Sequence, residues 1–178
     1  MTKRALVILL SGAALLLLAV TFEVHAAITR PRAKIGQVAP AFSSMTVSGK
    51  NFSFPIGQKE PVLLDFFATW CGPCQQEMPA LNRFAQASRG KVKVVMIDRG
   101  DSKVMIRRFI KKYGVASEIT VLYNQPDKLS QIYEVSGQPE AVFINQNGKV
   151  LYHTEGPLRE SELLQWAHET GTSPSYSN

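Results

Sequence analysis

Trp70-Cys71-Gly72-Pro73-Cys74 holds both cysteines of the 178-residue chain, in a C-x-x-C spacing. The segment follows the apolar run Val62 to Phe67 and precedes a helical pattern that begins at Pro73. At a helix N-terminus, unpaired backbone N–H groups and the positive end of the helix dipole stabilise a thiolate. The sequence therefore predicts a redox-active dithiol at the junction between a buried strand and a helix.

The two sulfurs are predicted to have unequal roles. Cys71 lies at the helix cap with its side chain facing solvent, which makes it the candidate nucleophile. Cys74 lies one turn further in and is the candidate resolving thiol that breaks a mixed disulfide. Pro73 suits the first helical turn and stiffens the loop between the sulfurs, and Gly72 allows another backbone to approach closely.

Two other interpretations of the cysteine pair are a structural disulfide and half of a zinc site. A four-residue ring constrains the unfolded chain very little, so it would contribute little as a structural crosslink. Zinc would need further ligands, and the three histidines, at positions 25, 153 and 168, lack ligand spacing. No metal and no cofactor beyond the Cys71–Cys74 pair is expected.

The segment from Asp65 to Cys74 resembles the active-site segment of thioredoxin. From about Gly36 to Glu169 the chain more closely resembles the exported TlpA/ResA/CcmG-like branch of thioredoxin-fold proteins. This resemblance implies an α/β thioredoxin fold, in which helices flank a central mixed sheet, with an N-terminal β-hairpin extension. It also implies a thiol–disulfide oxidoreductase that acts on proteins bearing cysteines or disulfides.

Composition and charge are those of one globular domain of ordinary size. Hydrophobic residues make up 45% of the chain, charged residues make up 19%, and the formal net charge is +6. Basic residues cluster at 30–34 and 107–112, but without the interleaved aromatic residues of a nucleic-acid surface. The second cluster reads as the solvated face of a helix. We expect a monomeric domain that binds no nucleic acid.

The N-terminus is predicted to be a targeting segment. Lys3-Arg4 precedes an apolar run from Ala5 to about Phe22, and small residues before position 27 permit cleavage after Ala26. The run is also almost long enough to span a bilayer, so residues 1–26 are predicted to be either a signal peptide or a membrane anchor. Either form places the domain outside the cytoplasm, in a bacterial periplasm or on the outer face of the membrane.

After this segment, residues 27–38 are predicted to be an extended, mobile linker, 39–170 the thioredoxin-like domain and 171–178 a flexible tail. Periodicity and turn residues predict the elements of the domain in order. They are a hairpin over 42–54, a strand over 61–67, a helix over 73–88 kinked at Pro79, a strand over 92–98, a helix over 103–113, a strand over 119–123, a short helix over 127–133 capped by Asp127, a hairpin over 140–153 and a helix over 159–169.

Two acidic residues near the cysteines are candidates for proton transfer. Asp65 lies inside an apolar strand, so burial should raise its pKa and let it take the proton of Cys74, unless it reaches solvent at the end of the sheet. Glu77 follows Cys74 by one helical turn, and by its position alone it reads as a surface residue near the helix N-terminus. The resemblance implies an active-site glutamate there, but those relatives tend to lack an aspartate at position 65. Which acid accepts the proton stays open.

The substrate-binding prediction centres on Gln138 and Pro139. A proline that enters a central strand must lie at its first residue. The resemblance implies that Pro139 is cis, faces the dithiol and leaves the backbone of Gln138 free to pair with an extended substrate segment. Trp70 provides either a flat apolar rim for substrate or a core contact.

The leading functional prediction is an extracytoplasmic oxidoreductase that reduces disulfides of exported proteins and is re-reduced by a membrane thiol electron donor. Gly72-Pro73 is the thioredoxin pair and favours a reductant. The alternatives are a disulfide oxidase or isomerase, a copper-handling chaperone of the same fold and, less favoured because of its different cysteine motif, a thiol peroxidase. Cysteines of apocytochrome c, copper-site cysteines and general envelope disulfides are all candidate substrates.

Overall fold

The computed structural model describes residues 33–55, 60–172 and 174–175. These residues form a seven-stranded sheet with helices packed against it. The strands are β1 (Phe42–Thr46), β2 (Asn51–Phe54), β3 (Val62–Phe67), β4 (Lys93–Asp98), β5 (Ile119–Tyr123), β6 (Glu140–Ile144) and β7 (Val150–Glu155). The helices are α1 (Gly72–Ala87), α2 (Lys103–Tyr113), α3 (Lys128–Ile132) and α4 (Glu160–Glu169).

The sheet is mixed, and its strand order is β2-β1-β5-β4-β3-β6-β7. Strand β3 runs parallel to β4 and antiparallel to β6, and β4 runs parallel to β5. The hairpin of β1 and β2 joins the sheet through the antiparallel pairing of β1 with β5. The predicted thioredoxin fold with a hairpin extension is confirmed.

Strand β3 is buried over all six residues, which explains its near-continuous apolar sequence. Its side chains alternate between two core clusters. Leu63 and Phe67 pack in the cluster that contains the cysteines and the apolar side of α1. Leu64 and Phe66 pack in the cluster that contains the hairpin and Tyr133. Because Asp65 is two residues from both Leu63 and Phe67, its side chain lies on their face of the sheet, the face that packs against α1.

Helix α1 carries the predicted inward stripe, because Met78, Leu81, Phe84, Ala85 and Ser88 are all buried. The helix continues through Pro79 without interruption. Helix α2 has the predicted bounds, and it ends where Gly114 takes the left-handed conformation with φ 56°.

The capping of α3 differs from the prediction. Asp127 occupies the N-cap position but accepts no hydrogen bond from the helix backbone. The amide oxygen of Asn124 accepts the N–H of Leu129 instead, at 3.3 Å. The carboxylate of Asp127 instead accepts hydrogen bonds from the side chains of Arg99, Asn124 and Ser130, of which the one from the charged Arg99 is the strongest.

Residues on both sides of the predicted 39–170 domain form backbone hydrogen bonds with it. In the predicted linker, the N–H of Gly36 donates to Val150 and the N–H of Val150 donates to Gln37, so these residues pair with β7. In the predicted tail, the N–H of Ser175 donates to the carbonyl of Ala87. The targeting segment 1–26 and linker residues 27–32 lie outside the described residues. Among the helices that are described, none is long and apolar enough to cross a membrane.

Candidate active site

The two cysteines form a disulfide at the start of α1. Cys71 is the N-cap residue, with extended dihedrals of φ −76° and ψ 111°. Its Sγ accepts a hydrogen bond from the backbone N–H of Cys74, with an N···S distance of 3.2 Å. An N–H group directed at this sulfur favours negative charge on it, so the geometry favours the thiolate of Cys71 in the reduced protein.

The two sulfurs differ in exposure less than the sequence suggests. Cys74 is fully buried, as predicted, but Cys71 is only 5% exposed. The carbonyl oxygen of Gln138 lies 3.6 Å from the Sγ of Cys71 and covers one side of it. The expectation of a solvent-facing Cys71 is therefore wrong. A substrate must fit closely against the surrounding loops to reach the sulfur.

The residues around the cysteines form an open surface. Pro73 lies in the first turn of α1, as predicted, and is exposed. A Cβ atom added to Gly72 would meet nothing within 4 Å outside its own helix turn, so no distant backbone among the described residues uses the space that Gly72 leaves. Trp70 is 67% exposed, which excludes the core-packing alternative for this side chain. These positions leave room for a second molecule.

Asp65 is fully buried, and neither of its carboxyl oxygens has a hydrogen-bond partner among the described residues. The alternative in which Asp65 reaches solvent is excluded. Burial raises the pKa of Asp65 well above its ordinary value of 3.8, because the charged form loses its hydration. The carboxyl group is thus able to accept a proton near neutral pH.

Glu77 is 3% exposed, so the surface position expected from its place in the sequence is wrong. Its Oε2 accepts the backbone N–H of Leu158 at 2.8 Å, whereas its Oε1 has no partner among the described residues. Burial raises the pKa of Glu77, the charge on Asp65 raises it further, and the bond from Leu158 opposes both effects. The two carboxyl groups therefore lie close enough to influence each other and disfavour a double negative charge.

The carbonyl of Gln138 lies against Cys71, and the peptide bond between Gln138 and Pro139 is cis, as the resemblance implied. The carbonyl of Pro139 accepts the N–H of Gly156, which ties this turn to the end of β7. The N–H of Gln138 donates to no described residue. This backbone is placed to pair with an extended segment beside Cys71.

Arg99 holds the turn that precedes Pro139. Its guanidinium group donates to the carbonyl of Gly137 and to the side-chain oxygen of Gln138, each at 2.7 Å. It also donates to Asp127 at 3.1 Å and to Ser130 at 3.0 Å. One side chain therefore joins the end of β4 and the region of α3 to the turn that touches the sulfur.

Glu140 holds the same turn from the other side. It is 2% exposed, and its Oε2 accepts the backbone N–H groups of Ser136 at 2.9 Å and of Gly137 at 3.1 Å. Its Oε1 lies 2.6 Å from the Nε2 of His153. His153 is thus engaged as a partner of Glu140. Among the described residues, no group of three or more histidine, cysteine or acidic side chains is placed to hold a metal.

A third acidic cluster supports the segment before Cys71. The buried Asp98 accepts the N–H groups of Gly100 and Asp101 at 2.8 Å each, and Asp101 accepts the N–H of Thr69 at 2.7 Å. Burial raises the pKa of Asp98 to about 7, and the neighbouring charge of Asp101 acts in the same direction. This cluster fixes the position of Thr69 relative to the end of β4.

Sequence reasoning missed Arg99, Asp101, Glu140 and the partner role of His153. A signal for the first two was present, because charged residues directly follow the buried strand β4. The carboxyl ends of parallel strands meet at one edge of a sheet, and Phe67 of β3 is in register with Asp98 of β4. Glu140 offered a weaker signal, as a lone acid at the start of an otherwise apolar strand.

Comparison with known proteins agrees with the fold and the dithiol. Residues 35–153 match the model of the AhpC/TSA family. The chain is 29% identical over 164 residues to the thiol-disulfide oxidoreductase ResA of Bacillus subtilis, covering 90% of each chain. A structure assigned to the thiol:disulfide interchange protein DsbE of Chlorobium tepidum superposes with a TM-score of 0.69 at 27% identity, covering 78% of this chain and 98% of that one. A secreted disulfide oxidoreductase of Mycobacterium tuberculosis superposes with a TM-score of 0.65 at 27% identity, covering 72% and 95%.

A thioredoxin fold with a cysteine pair at the first turn of α1 defines the class of thiol–disulfide oxidoreductases. The chain belongs to the AhpC/TSA family, and within it the relatives found by sequence and by structure are of the ResA and DsbE kind.

Proposed function

We propose that the protein reduces disulfide bonds of exported proteins outside the cytoplasm. One observation carries this proposal. The Cys71–Cys74 disulfide joins a helix-cap sulfur to a fully buried sulfur, and two buried carboxyl groups lie on the side of β3 and α1 that packs around Cys74. This arrangement supports the proposal of an attacking thiolate at Cys71, a protected resolving thiol at Cys74 and a proton acceptor on the same side of the sheet.

The reaction starts from the reduced protein. The Cys71 thiolate attacks one sulfur of the substrate disulfide, which forms a mixed disulfide and releases one substrate cysteine as a thiolate. Cys74 then loses its proton to the carboxyl pair of Asp65 and Glu77 and attacks the Sγ of Cys71. This second step releases the other substrate cysteine and leaves the Cys71–Cys74 disulfide. The substrate gains two electrons and the protein loses two.

A further electron donor must reduce the protein again, and we assign this role to a membrane thiol protein. The N-terminal sequence supports a location on the outer side of a membrane, since its basic start and apolar run are typical of export. The description of the Mycobacterium tuberculosis neighbour as secreted supports the same location. Gly72-Pro73 between the cysteines supports reduction over oxidation.

Trapping the mixed disulfide tests this function and identifies the substrate. In cells, a Cys74→Ser variant should accumulate covalent adducts through Cys71, because the resolving thiol is missing. The matched Cys71→Ser variant should accumulate none at position 74, which is fully buried. Mass spectrometry after alkylation would identify the trapped proteins. Adducts that are equally abundant in both variants, or absent from both, would contradict the assigned roles.

The direction of electron flow needs a separate measurement. The reduced full-length chain is mixed with insulin, and the oxidised chain is mixed with a reduced, unfolded protein that carries two thiols. We expect fast reduction of insulin and slow oxidation of the dithiol protein. The opposite order of rates would assign the protein as an oxidase. Tight binding of Cu(I) by the reduced chain, without insulin reduction, would assign it as a copper carrier.

A further inference from the structure

A groove of about 240 Å³ lies beside the dithiol and is formed by the active-site segment and α2. Its lining residues are Thr69, Gln75, Met105, Arg108, Phe109, Lys112 and Tyr113. Thr69 is two residues before Cys71, and Gln75 directly follows Cys74. The side-chain amide of Gln75 donates to the carbonyl of Thr69 at 3.0 Å, so both residues form one wall. The groove therefore begins within a few residues of the reacting sulfur.

The position of this wall is fixed by the acidic cluster at the end of β4. Asp101 accepts the N–H of Thr69 and lies just before α2. The other wall is anchored from inside, because the ring of Phe109 lies 5.1 Å from Phe67 and 4.7 Å from Tyr113. Both walls of the groove, the active-site loop and α2, are therefore held in place by contacts with the rest of the domain.

Exposed apolar residues lie in and next to the two segments that line the groove. Met105 is 42% exposed and Val104 is 54% exposed at the start of α2, and Trp70 is 67% exposed next to Cys71. Large exposed apolar side chains that cluster at one place commonly mark a binding surface. A partner that covers them would bury apolar area directly beside the site of chemistry.

The charge of the groove is entirely positive. Helix α2 contains five basic residues and no acidic residue. Two of them, Arg108 and Lys112, line the groove one turn apart. Neither forms an ion pair with a described residue, although the Nζ of Lys112 lies 4.9 Å from the centre of the Tyr113 ring. By contrast, Arg107 donates to the carbonyl of Val47, and Lys103 lies over the ring of Tyr123.

We propose that this groove docks an acidic segment of the partner protein whose disulfide reacts with Cys71. The carboxylates of the segment pair with Arg108 and Lys112, and an apolar side chain of the segment packs on Met105 and Phe109. Charge complementarity selects the occupant, because the groove offers cations without carboxylate partners beside an apolar floor. The proposal rests on the proposed function, since it assigns a specificity surface to the same reaction.

The test uses the reduced full-length chain and three synthetic peptides, each closed by one internal disulfide. The first carries aspartate, glutamate and leucine next to its cysteines. The second replaces the acids by lysines, and the third replaces the leucines by serines. We expect the first peptide to be reduced at least about tenfold faster than the second, with a rate that falls as salt is added, and the third to be slower than the first.

Two double variants distinguish an effect of the groove on peptide preference from an effect of the net charge of the protein. Arg108→Glu with Lys112→Glu should remove or invert the preference for the acidic peptide over the basic one. Lys50→Glu with Lys128→Glu makes the same change in formal charge at exposed positions outside the groove, and it should keep the preference within about twofold. If the first double variant fails to fold, as judged by its unfolding midpoint, Met105→Ser replaces it. That variant should remove the difference between the leucine and serine peptides.

Each outcome decides one question. Equal rates for all three peptides would overturn the docking proposal and leave the proposed function intact. A failure to reduce any peptide or insulin would instead overturn the proposed function. An equal loss of preference in both double variants would assign the effect to net charge and overturn the docking proposal. Loss of binding to vesicles that contain anionic lipid, seen only in the groove variant and without a change in peptide preference, would assign the groove to a membrane surface and overturn it as well.

Discussion

Two sets of buried carboxyl groups flank the disulfide, and they differ in how well they are paired. Asp65 has no hydrogen-bond partner for either oxygen, and Glu77 has one for a single oxygen, among the described residues. Glu140 is equally buried, yet it accepts two backbone N–H groups and pairs with His153. Burial alone does not determine what an acid does at this site.

The number of hydrogen-bond partners indicates which of these acids can take part in proton transfer. A carboxyl group without partners is unstable as an anion, so its pKa rises and it exchanges protons near neutral pH. A carboxyl group that accepts two backbone N–H groups and pairs with His153 holds a loop in place, and its removal would leave those groups without their partner. We therefore propose Asp65 and Glu77 as the candidate proton acceptors of the reaction, and Glu140 as a positioning residue for the turn before Pro139.

The largest effect on stability is expected from Glu140→Ala. The change removes the buried acceptor of the Ser136 and Gly137 N–H groups and leaves the largely buried His153 without its partner, which should lower the free energy of unfolding by about 3 kcal/mol or more. Urea unfolding of the oxidised chain measures the loss. Glu155→Ala is the matched control, because Glu155 lies opposite Glu140 in β7 and is exposed. It should change stability by about 0.5 kcal/mol or less, and equal losses would contradict the distinction.

Asp65→Asn should slow the resolving step by about 100-fold at neutral pH, because a general acid or base contributes on this scale. The initial attack by Cys71, measured as its alkylation rate in the reduced protein, should change little. Rapid-quench analysis of the mixed disulfide separates the two steps. Glu77→Gln is the comparison variant, and whichever change slows resolution more identifies the main acceptor. Asp98→Asn controls for a buried acid of raised pKa beside a different loop, and unchanged resolution in both Asp65→Asn and Glu77→Gln would assign the proton to water.

The pH dependence of the free energy of unfolding should be determined by the buried acids whose pKa values are raised. In the folded chain Asp65 and Glu77 keep their protons at pH values where the unfolded chain, with ordinary pKa values of 3.8 and 4.5, has lost them. The free energy of unfolding should therefore be highest below these values and fall as pH rises toward the raised pKa values. Asp98, whose pKa is about 7, adds a contribution of the same sign.

Urea unfolding at about pH 5 and about pH 8 measures this decline. Asp65→Asn should reduce it by at least about 1 kcal/mol, since one pKa unit corresponds to about 1.4 kcal/mol. Glu140→Gln should leave the decline in place while lowering stability at both pH values. A wild-type chain whose stability rises over this range would show that the acids are charged in the folded state.

A smaller effect is expected from Arg99→Lys. Lysine keeps the charge but cannot hold Gly137, Gln138 and Asp127 with one planar group, so the turn should be less well positioned. We expect kcat/KM for a protein disulfide to fall about tenfold, mainly through KM, with the alkylation rate of Cys71 preserved. Arg89→Lys, at an exposed pair with Glu118, is the control and should change neither value. A loss in the alkylation rate as large as that in kcat/KM would mean that Arg99 acts on the sulfur itself.

The sequence predicted the elements of the fold well, because each strand and helix has a strong local pattern. Strand β3 is apolar throughout, and α2 has a clear amphipathic period and a glycine at its end. The burial of Glu77 could not be predicted from its position in the helix. It depends on the loop around Leu158, which is about eighty residues away in the chain and supplies the N–H partner.

The same limit applied to Cys71 and Arg99. The low exposure of Cys71 comes from the turn at Gln138, and the bonds of Arg99 join three regions that are distant in sequence. Local periodicity predicts which side of a helix or strand is buried, but it contains no information about which loop closes over that side. The resemblance to a known family supplied the cis Pro139 and the active-site glutamate, which residue patterns alone did not.

The two tryptophans lie in opposite environments, so they offer separate optical signals. Trp70 is exposed beside the disulfide, whereas Trp166 is 7% exposed and stacks on Tyr152 with ring centres 4.8 Å apart. A soluble quencher such as iodide should reach the first indole and spare the second. Emission from Trp70 would then follow the arrival of a partner protein in real time, and emission from Trp166 would follow global unfolding in the same cuvette.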